Sequence, residues 1–236
     1  MSFQGKNFAI VGASSGIGAE IARLLDEQGA RLFTYSRRPP TQLSAAAHWE
    51  RVDVTEENFQ LEGLPEVLHG LIYCPGSINL KPFSRISAAD FRKELEINVV
   101  GAFRVLQQVF PYLKAAGPGS SALLFSTVAV QTGMPFHSGI AAAKGAIEGL
   151  VRALAAEWAP TVRINAIAPT LTETPLAAAL LNSDEKRQSA AQRHPLRRIA
   201  TPADIAQTAR FLLSEAAQFI TGQVWSVDGG FGRLKT

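Results

Sequence analysis

A doubly wound α/β fold, one domain around a seven-stranded parallel sheet, is predicted by three features of this 236-residue sequence. Short apolar runs alternate with segments of helical periodicity from end to end, the order that yields a parallel sheet covered on both faces. A glycine-rich turn follows the first run and leads straight into an amphipathic helix. Glycine or proline stands between elements where helices should end. The composition, 47% hydrophobic and 18% charged, is sufficient for one large core.

The first strand is expected at 7–11, where Asn7-Phe8-Ala9-Ile10-Val11 is almost continuously apolar, and a helix follows over 17–28 and stops at Gly29. Further strands are expected at 31–35, 48–52, 71–74, 122–126, 163–168 and 224–227, with helices at 88–95, 101–114, 139–158, 185–193 and 202–213. Gly117 with Pro118, and Pro160 with Thr161, supply stops between them. Only about twenty residues separate Asp53 from Cys74, and Pro65 interrupts them, so that crossover has room for a short helix at most. Residues 170–200 carry Thr, Pro and Asn punctuation around two short amphipathic pieces. They lie beyond a strand's carboxyl end, where a substrate lid belongs. No repeat or low-complexity linker divides the chain, so 1–236 reads as a single domain.

Several function classes are disfavoured. No run approaches the ~20 apolar residues of a membrane span. The opening Met1-Ser2-Phe3-Gln4-Gly5-Lys6 has no apolar signal core, and a cytoplasmic protein is expected. The single cysteine, Cys74, has neither a disulfide partner nor companion ligands at metal spacing, so no metal is expected and the thiol reads as buried. Net charge is only +3 and the basic residues are scattered, which argues against nucleic acid as a partner.

Gly12-Ala13-Ser14-Ser15-Gly16-Ile17-Gly18 joins the first strand to the first helix. Such a turn aims free amide N–H groups and the positive end of the helix dipole at a pyrophosphate, and glycine lets backbone and phosphate approach closely. Strand, turn, helix and second strand occur in order, which makes this a Rossmann-type dinucleotide site. The second strand ends in Ser36-Arg37-Arg38, where an NAD site would usually carry an acid for the ribose hydroxyl. Guanidinium groups suit a 2′-phosphate instead, so NADPH is the expected cofactor; a plain solvated loop end is the alternative reading of Arg37 and Arg38. Asp53 with Val54 either holds the adenine or forms an ordinary turn.

Together with Gly12 to Gly18 and Asp53-Val54, the segments Asn98-Val99-Val100-Gly101, Ala141-Ala142-Ala143-Lys144, Arg163-Ile164-Asn165-Ala166-Ile167-Ala168-Pro169 and Val227-Asp228-Gly229-Gly230 resemble the short-chain dehydrogenase/reductase family. The resemblance is nearest to its ketoacyl-reductase-like and dienoyl-thioester-reductase-like members, and it runs in order from about residue 8 to 230. It implies a nicotinamide cofactor, a small-molecule substrate and a homo-oligomer, dimer or tetramer, assembled through long helices and the C-terminal strand. Carried over by position, Gly12, Ser14, Ser15, Gly16, Ile17 and Gly18 would hold phosphates and ribose. Ser36, Arg37 and Arg38 would face the adenosine phosphate, and Asp53 and Val54 the adenine. The family's Asn-Ala-Gly after the fourth strand is Cys74-Pro75-Gly76 here, of which Pro75 and Gly76 can line the adenosine ribose. The family's Pro-Gly after the sixth strand is Pro169-Thr170, and Thr172 and Thr174 beyond it would approach the nicotinamide amide.

The resemblance also implies a catalytic set of Asn, Ser, Tyr and Lys. A phenol with pKa near 10 needs a neighbouring ammonium to donate its proton near neutrality, and residues four apart on a helix share the face that brings the two together. Lys144 is present, and it is expected to grip the nicotinamide ribose. Ile140, four residues earlier, cannot donate a proton. Thr127 takes the place of the Ser, with strand-end capping as its other reading. Asn98 matches the water-holding Asn; its other reading is a helix-kink residue bonded to backbone. His137, seven residues before Lys144, lies on the same face if the helix already runs there, and is either the replacement acid or a capping or surface residue. Arg187, Arg193, His194, Arg197 and Arg198 make the lid region basic, fitting thioester phosphates or a solvated face alike. The sequence thus points to an NADPH-dependent reductase of a small or acyl-thioester carbonyl or a conjugated alkene. A non-catalytic NADPH-binding subunit or sensor is the alternative.

Overall fold

Seven short runs form seven strands, each parallel to its neighbours; the central runs, such as Gly70–Tyr73 and Ser120–Phe125, are buried on both faces as a sheet covered twice requires, whereas the edge run His48–Arg51 is polar and largely exposed. The computed structural model describes residues 2–41 and 43–235; Met1 and Thr236, the ends of the expected domain, lie outside them. The strands are β1 (Asn7–Val11), β2 (Arg31–Ser36), β3 (His48–Arg51), β4 (Gly70–Tyr73), β5 (Ser120–Phe125), β6 (Val162–Pro169) and β7 (Val224–Val227). Their spatial order is β3-β2-β1-β4-β5-β6-β7. The order reverses between β1 and β4, which opens a crevice at the carboxyl ends of those strands.

The helices are α1 (Gly16–Asp26), α2 (Ala88–Leu95), α3 (Gly101–Ala116), α4 (Ala129–Thr132), α5 (Ser138–Trp158), α6 (Asp184–Gln192) and α7 (Pro202–Leu213). Helices α3 and α5 cover one sheet face through Leu106, Val109, Ile147 and Val151. Helices α1 and α7 cover the other through Ile21, Leu25, Ile205 and Leu212. Ser87 and Thr201 start α2 and α7 with reciprocal capping boxes, which satisfy amides that have no partner within the helix.

Three local features differ from expectation or refine it. A wide π turn, Glu96–Val100, joins α2 to α3 where two separate helices are expected. Helix α4 was not anticipated, because four residues carry no readable period. The 53–74 crossover contains no helix; Phe59, Leu61 and Leu68 bury themselves directly against the sheet, and the Tyr35 hydroxyl donates to the Glu62 carbonyl at 2.8 Å. Within 170–200, a 3-10 turn (Pro175–Leu180) and α6 close over a small core of Ala177, Leu181 and Ala190. A bridge between Thr172 and Ala200 ties the segment's two ends together.

Candidate active site

The crevice is a cavity of about 540 Å³. Its floor is the turn from β1 into α1. Gly16 has φ +58°, and a Cβ there would come within 3.1 Å of Thr174 Cγ2, so this glycine is required both by its backbone and by the segment packed on it. A Cβ on Gly18 would run into the carbonyl oxygen of Gly12, far inside van der Waals contact. Ser15, the N-cap of α1, makes no side-chain cap bond, and no acid lies in the first turn, so the first amides of α1 stay open toward the cavity. Gly12, Ser14, Ser15, Gly16, Ile17 and Gly18 all line it.

At the end of β2 the three expected residues separate. Arg37 is exposed and lines the cavity. Ser36 also lines it, but its hydroxyl donates to the Arg38 carbonyl at 2.6 Å and accepts from Trp49 Nε1 at 3.2 Å. Arg38 is exposed and is not among the lining residues, because successive side chains leave a strand end on opposite sides. Asp53 and Val54 form the next wall, with Asp53 Oδ1 accepting from the Thr55 amide at 3.0 Å and its hydroxyl at 2.8 Å. Partial burial acts to raise the Asp53 pKa, but these bonds and the Arg37 and Arg51 charges outweigh it and hold the carboxyl below its ordinary value. Pro75 and Gly76 complete the lining after β4. Cys74, expected to be buried, is half-buried and lines the same cavity. Desolvation still pushes its thiol up to about 12, against the opposing pull of Lys144. Sequence reasoning missed Lys93, Ile97, Thr55 and Leu176 in this lining. Lys93 in particular is an exposed charge on an amphipathic helix and carries no sequence signal of its own.

Next to Gly76 lie two groups expected to act in chemistry. A Cβ on Gly76 would sit 3.4 Å from Asn98 Oδ1 and 3.7 Å from Lys144 Nζ. Lys144 is 8% exposed, and burial lowers its pKa to about 8, opposed by Cys74 and Glu94. Asn98 lies in the π turn, where its Nδ2 donates to the Glu94 carbonyl and to Ser77 Oγ, each at 2.9 Å. Its buried Oδ1 has no partner among the described residues, so an acceptor is left facing this chamber.

The remaining expected residues fall around these. Thr127 is half-buried and its hydroxyl accepts from the Ala129 amide at 3.3 Å, while neighbouring Ser126 donates instead to buried Glu148 at 2.7 Å. Ile140 is buried at 7% exposure. His137 is the N-cap of α5, and its Nδ1 bonds the Pro135 carbonyl at 2.7 Å. Pro169 and Thr170 are half-buried, and Thr172 is buried with its hydroxyl on the Thr170 carbonyl at 2.9 Å. Thr174 lines the cavity. His194 does not belong to a basic surface: it is 2% exposed, with Nδ1 donating to the Ala190 carbonyl at 2.8 Å and Nε2 at 3.0 Å from the Thr170 hydroxyl. Arg187 pairs with Glu173, Arg198 with Asp204, and Arg197 with the Gln192 carbonyl.

Comparison with known proteins decides the family. Residues 12–232 match the family model described as enoyl-(acyl carrier protein) reductase. The chain belongs to the short-chain dehydrogenase/reductase family. A tropinone reductase homolog of Arabidopsis thaliana is 33% identical over 250 residues, covering 97% of this chain and 94% of the relative. Galactitol 2-dehydrogenase (L-tagatose-forming) of Cereibacter sphaeroides is 33% identical over 237 residues, 94% of this chain and 93% of its own. Among solved structures, a short-chain type dehydrogenase/reductase from Mycobacterium ulcerans superposes with TM-score 0.90 at 31% identity, covering 98% of this chain and 91% of that one. Short-chain dehydrogenases and reductases are oxidoreductases that use a nicotinamide dinucleotide, NAD or NADP. No helix among the described residues is long and apolar enough to cross a membrane.

Proposed function

We propose that this chain is an NADPH-dependent reductase of a small or acyl-thioester carbonyl or a conjugated alkene, with an active site that dispenses with the family's tyrosine. The residues present fit the cofactor: a Cβ at Gly18 would clash and ones at Gly12 and Gly16 would crowd their neighbours, the α1 amides are open, and an acceptor stands unpaired on Asn98 among the described residues. When bound, NADPH supplies a hydride from its nicotinamide ring. The α1 amides would hold the pyrophosphate, Asp53 and Val54 the adenine, and Pro75 and Gly76 the adenosine ribose. Lys144 would hold the nicotinamide ribose, and Pro169, Thr170, Thr172 and Thr174 the carboxamide end. Thr127 and Asn98 would orient the substrate oxygen and its water. The lid role of 170–200 is supported by Thr174 resting on Gly16. A homo-oligomer, dimer or tetramer, is supported by an apolar hollow between Val99, Phe103 and Leu150. A cytoplasmic setting completes the reading.

One observation carries the choice of NADPH: Arg37 stands in the cavity at the end of β2, where an NAD site would place an acid. Charge-assisted bonds to a phosphate are worth roughly 1.5–3 kcal/mol, so NADPH should bind about 10- to 100-fold more tightly than NADH. Fluorescence titration of both cofactors tests this, and Arg37→Asp should abolish the preference. Equal affinity of the unaltered chain for the two would refute it.

A second reading, a non-catalytic NADPH-binding subunit or sensor, draws on buried Ile140 and on His137 turned to a backbone carbonyl. Binding of NADPH without its oxidation by ketones, enoyl thioesters or dienoyl thioesters would favour it.

A further inference from the structure

We propose that Glu94 is a positioning residue: with Ser77 it locks the Asn98 amide so that its oxygen, not its nitrogen, faces the chamber beside Lys144. Its effect on turnover rests on the reductase reading above. Asn98 is fully buried, and its two N–H groups are both used, one on the Glu94 carbonyl and one on Ser77 Oγ, each at 2.9 Å. The surroundings of an amide decide which way it points. A backbone carbonyl can only accept. A serine hydroxyl can donate or accept, but Ser77 gives its one hydrogen to Glu94 Oε2 at 2.8 Å, so only lone pairs are left for Asn98. Glu94 Oε2 itself lies 3.5 Å from Asn98 Nδ2. Turning the amide over would set Oδ1 against three acceptors and cost both of its hydrogen bonds.

The lock depends on the negative charge of Glu94, because a carboxylate oxygen can only accept and therefore fixes which way the Ser77 hydroxyl points. Lys144 responds to Glu94 as to a negative charge, which acts against the lowering of its pKa by burial. The carboxylate is also held in place. Glu94 is 4% exposed, and a Cβ on Gly139 would sit 3.7 Å from its Cγ, so it packs on the first turn of α5. Among the described residues it forms no ion pair, whereas Glu96, two positions on, pairs with Arg104 at 2.9 Å. Glu94 does not line the cofactor cavity, as suits a group that acts through another.

The consequence falls on Lys144. Asn98 Oδ1 has no partner among the described residues, and it borders, together with Lys144 Nζ, the point where a Cβ on Gly76 would stand, at 3.4 and 3.7 Å. An acceptor there attracts the ammonium into the chamber, whereas a turned amide would set donor against donor. Glu94 thus serves Lys144 twice, by its own field and by the oxygen it keeps pointing inward. The other titratable group that acts on Lys144 is Cys74, whose thiol keeps its proton up to about pH 12; His137, at the start of α5, is turned to Pro135.

The test compares the full chain with Glu94→Gln, whose amide can donate to Ser77 and so reverse the hydroxyl, and with Ser77→Ala, which keeps the charge but removes the link. In cofactor-free protein with nitrogen-labelled asparagine, NMR should show the Asn98 side-chain hydrogens exchanging about 10-fold faster in both variants. Lys144 should titrate lower in Glu94→Gln and stay in place in Ser77→Ala. With 9,10-phenanthrenequinone and acetoacetyl thioester as probes, kcat should fall about 10-fold in both variants at unchanged KM, because misplaced groups slow the step without loosening the substrate. The limb of the pH profile set by Lys144 should move to lower pH in Glu94→Gln alone. Unchanged exchange at Asn98 in either variant overturns the lock, and faster exchange with unchanged kcat overturns its part in turnover. An unaltered chain that binds NADPH but oxidises it with neither probe overturns the reductase reading instead, while the exchange rates still decide the lock. Should Glu94→Gln melt below the assay temperature, Ser77→Ala decides by the same exchange and kcat measurements.

Discussion

Lys144→Met should stabilise the cofactor-free protein at neutral pH, and by an amount that fades as pH rises. The Lys144 ammonium is 8% exposed, and burial lowers its pKa from 10.5 to about 8. At about 1.4 kcal/mol per pKa unit, the folded state carries a penalty of roughly 3 kcal/mol wherever the group is charged in both states. Between about pH 8 and 10.5 the unfolded chain binds the proton that the folded chain has released, so stability rises with pH across that window. Methionine fills much of the same volume without a charge. The variant should therefore exceed the unaltered chain by up to roughly 3 kcal/mol at pH 7, and by about 1 kcal/mol at pH 10. Urea unfolding of both chains at several pH values, without cofactor, measures this difference, in which other titrating groups cancel. A difference that is flat or grows with pH would refute the reasoning. It would mean that Lys144 is charged or neutral alike in both states.

Two further perturbations test the frame around the site. Gly18→Ala should abolish measurable NADPH binding while leaving the sheet intact by circular dichroism, because the new methyl displaces the Gly12 carbonyl and with it the phosphate turn; near-normal affinity in a titration would count against the cradle. Arg163→Met should cost roughly 1.5–3 kcal/mol, because the buried guanidinium's charge-assisted bonds to the carbonyls of Leu212 at 3.0 Å, Ile220 at 3.2 Å and Ser214 at 3.3 Å are lost while each carbonyl keeps a second donor, Ser121 Oγ, Asn165 Nδ2 and the Ala217 amide; a loss under about 0.5 kcal/mol in urea unfolding would show that the guanidinium adds nothing net.

Local physics made much of this protein readable in one dimension. Runs such as Phe8 to Val11 are buried whole, so their apolar character announces a strand covered on both faces. The glycine-rich turn lining the cavity was legible because its glycines, its strand and its helix are contiguous, and the place of Arg37 in that lining because a strand's end sets where the next side chain goes. That Ile140 stands one helical turn before Lys144 is likewise a matter of spacing along one helix.

What depends on distant chain segments was decided only by the tertiary structure. Glu94 reads as one more charge on an amphipathic helix, and only packing against Gly139 and Ser77 buries it. His194 reads as part of a basic lid, yet bonds to Thr170 and Ala190 take it inside. Arg38 reads like Arg37, and the direction in which each leaves β2 separates them. Sequence alone determined the order of elements and the residues of the glycine-rich turn, because those rest on neighbours along the chain. The protonation behaviour of Lys144, the burial of Glu94 and the unpaired oxygen of Asn98 rest on desolvation by segments far away in sequence, and no local pattern encodes them.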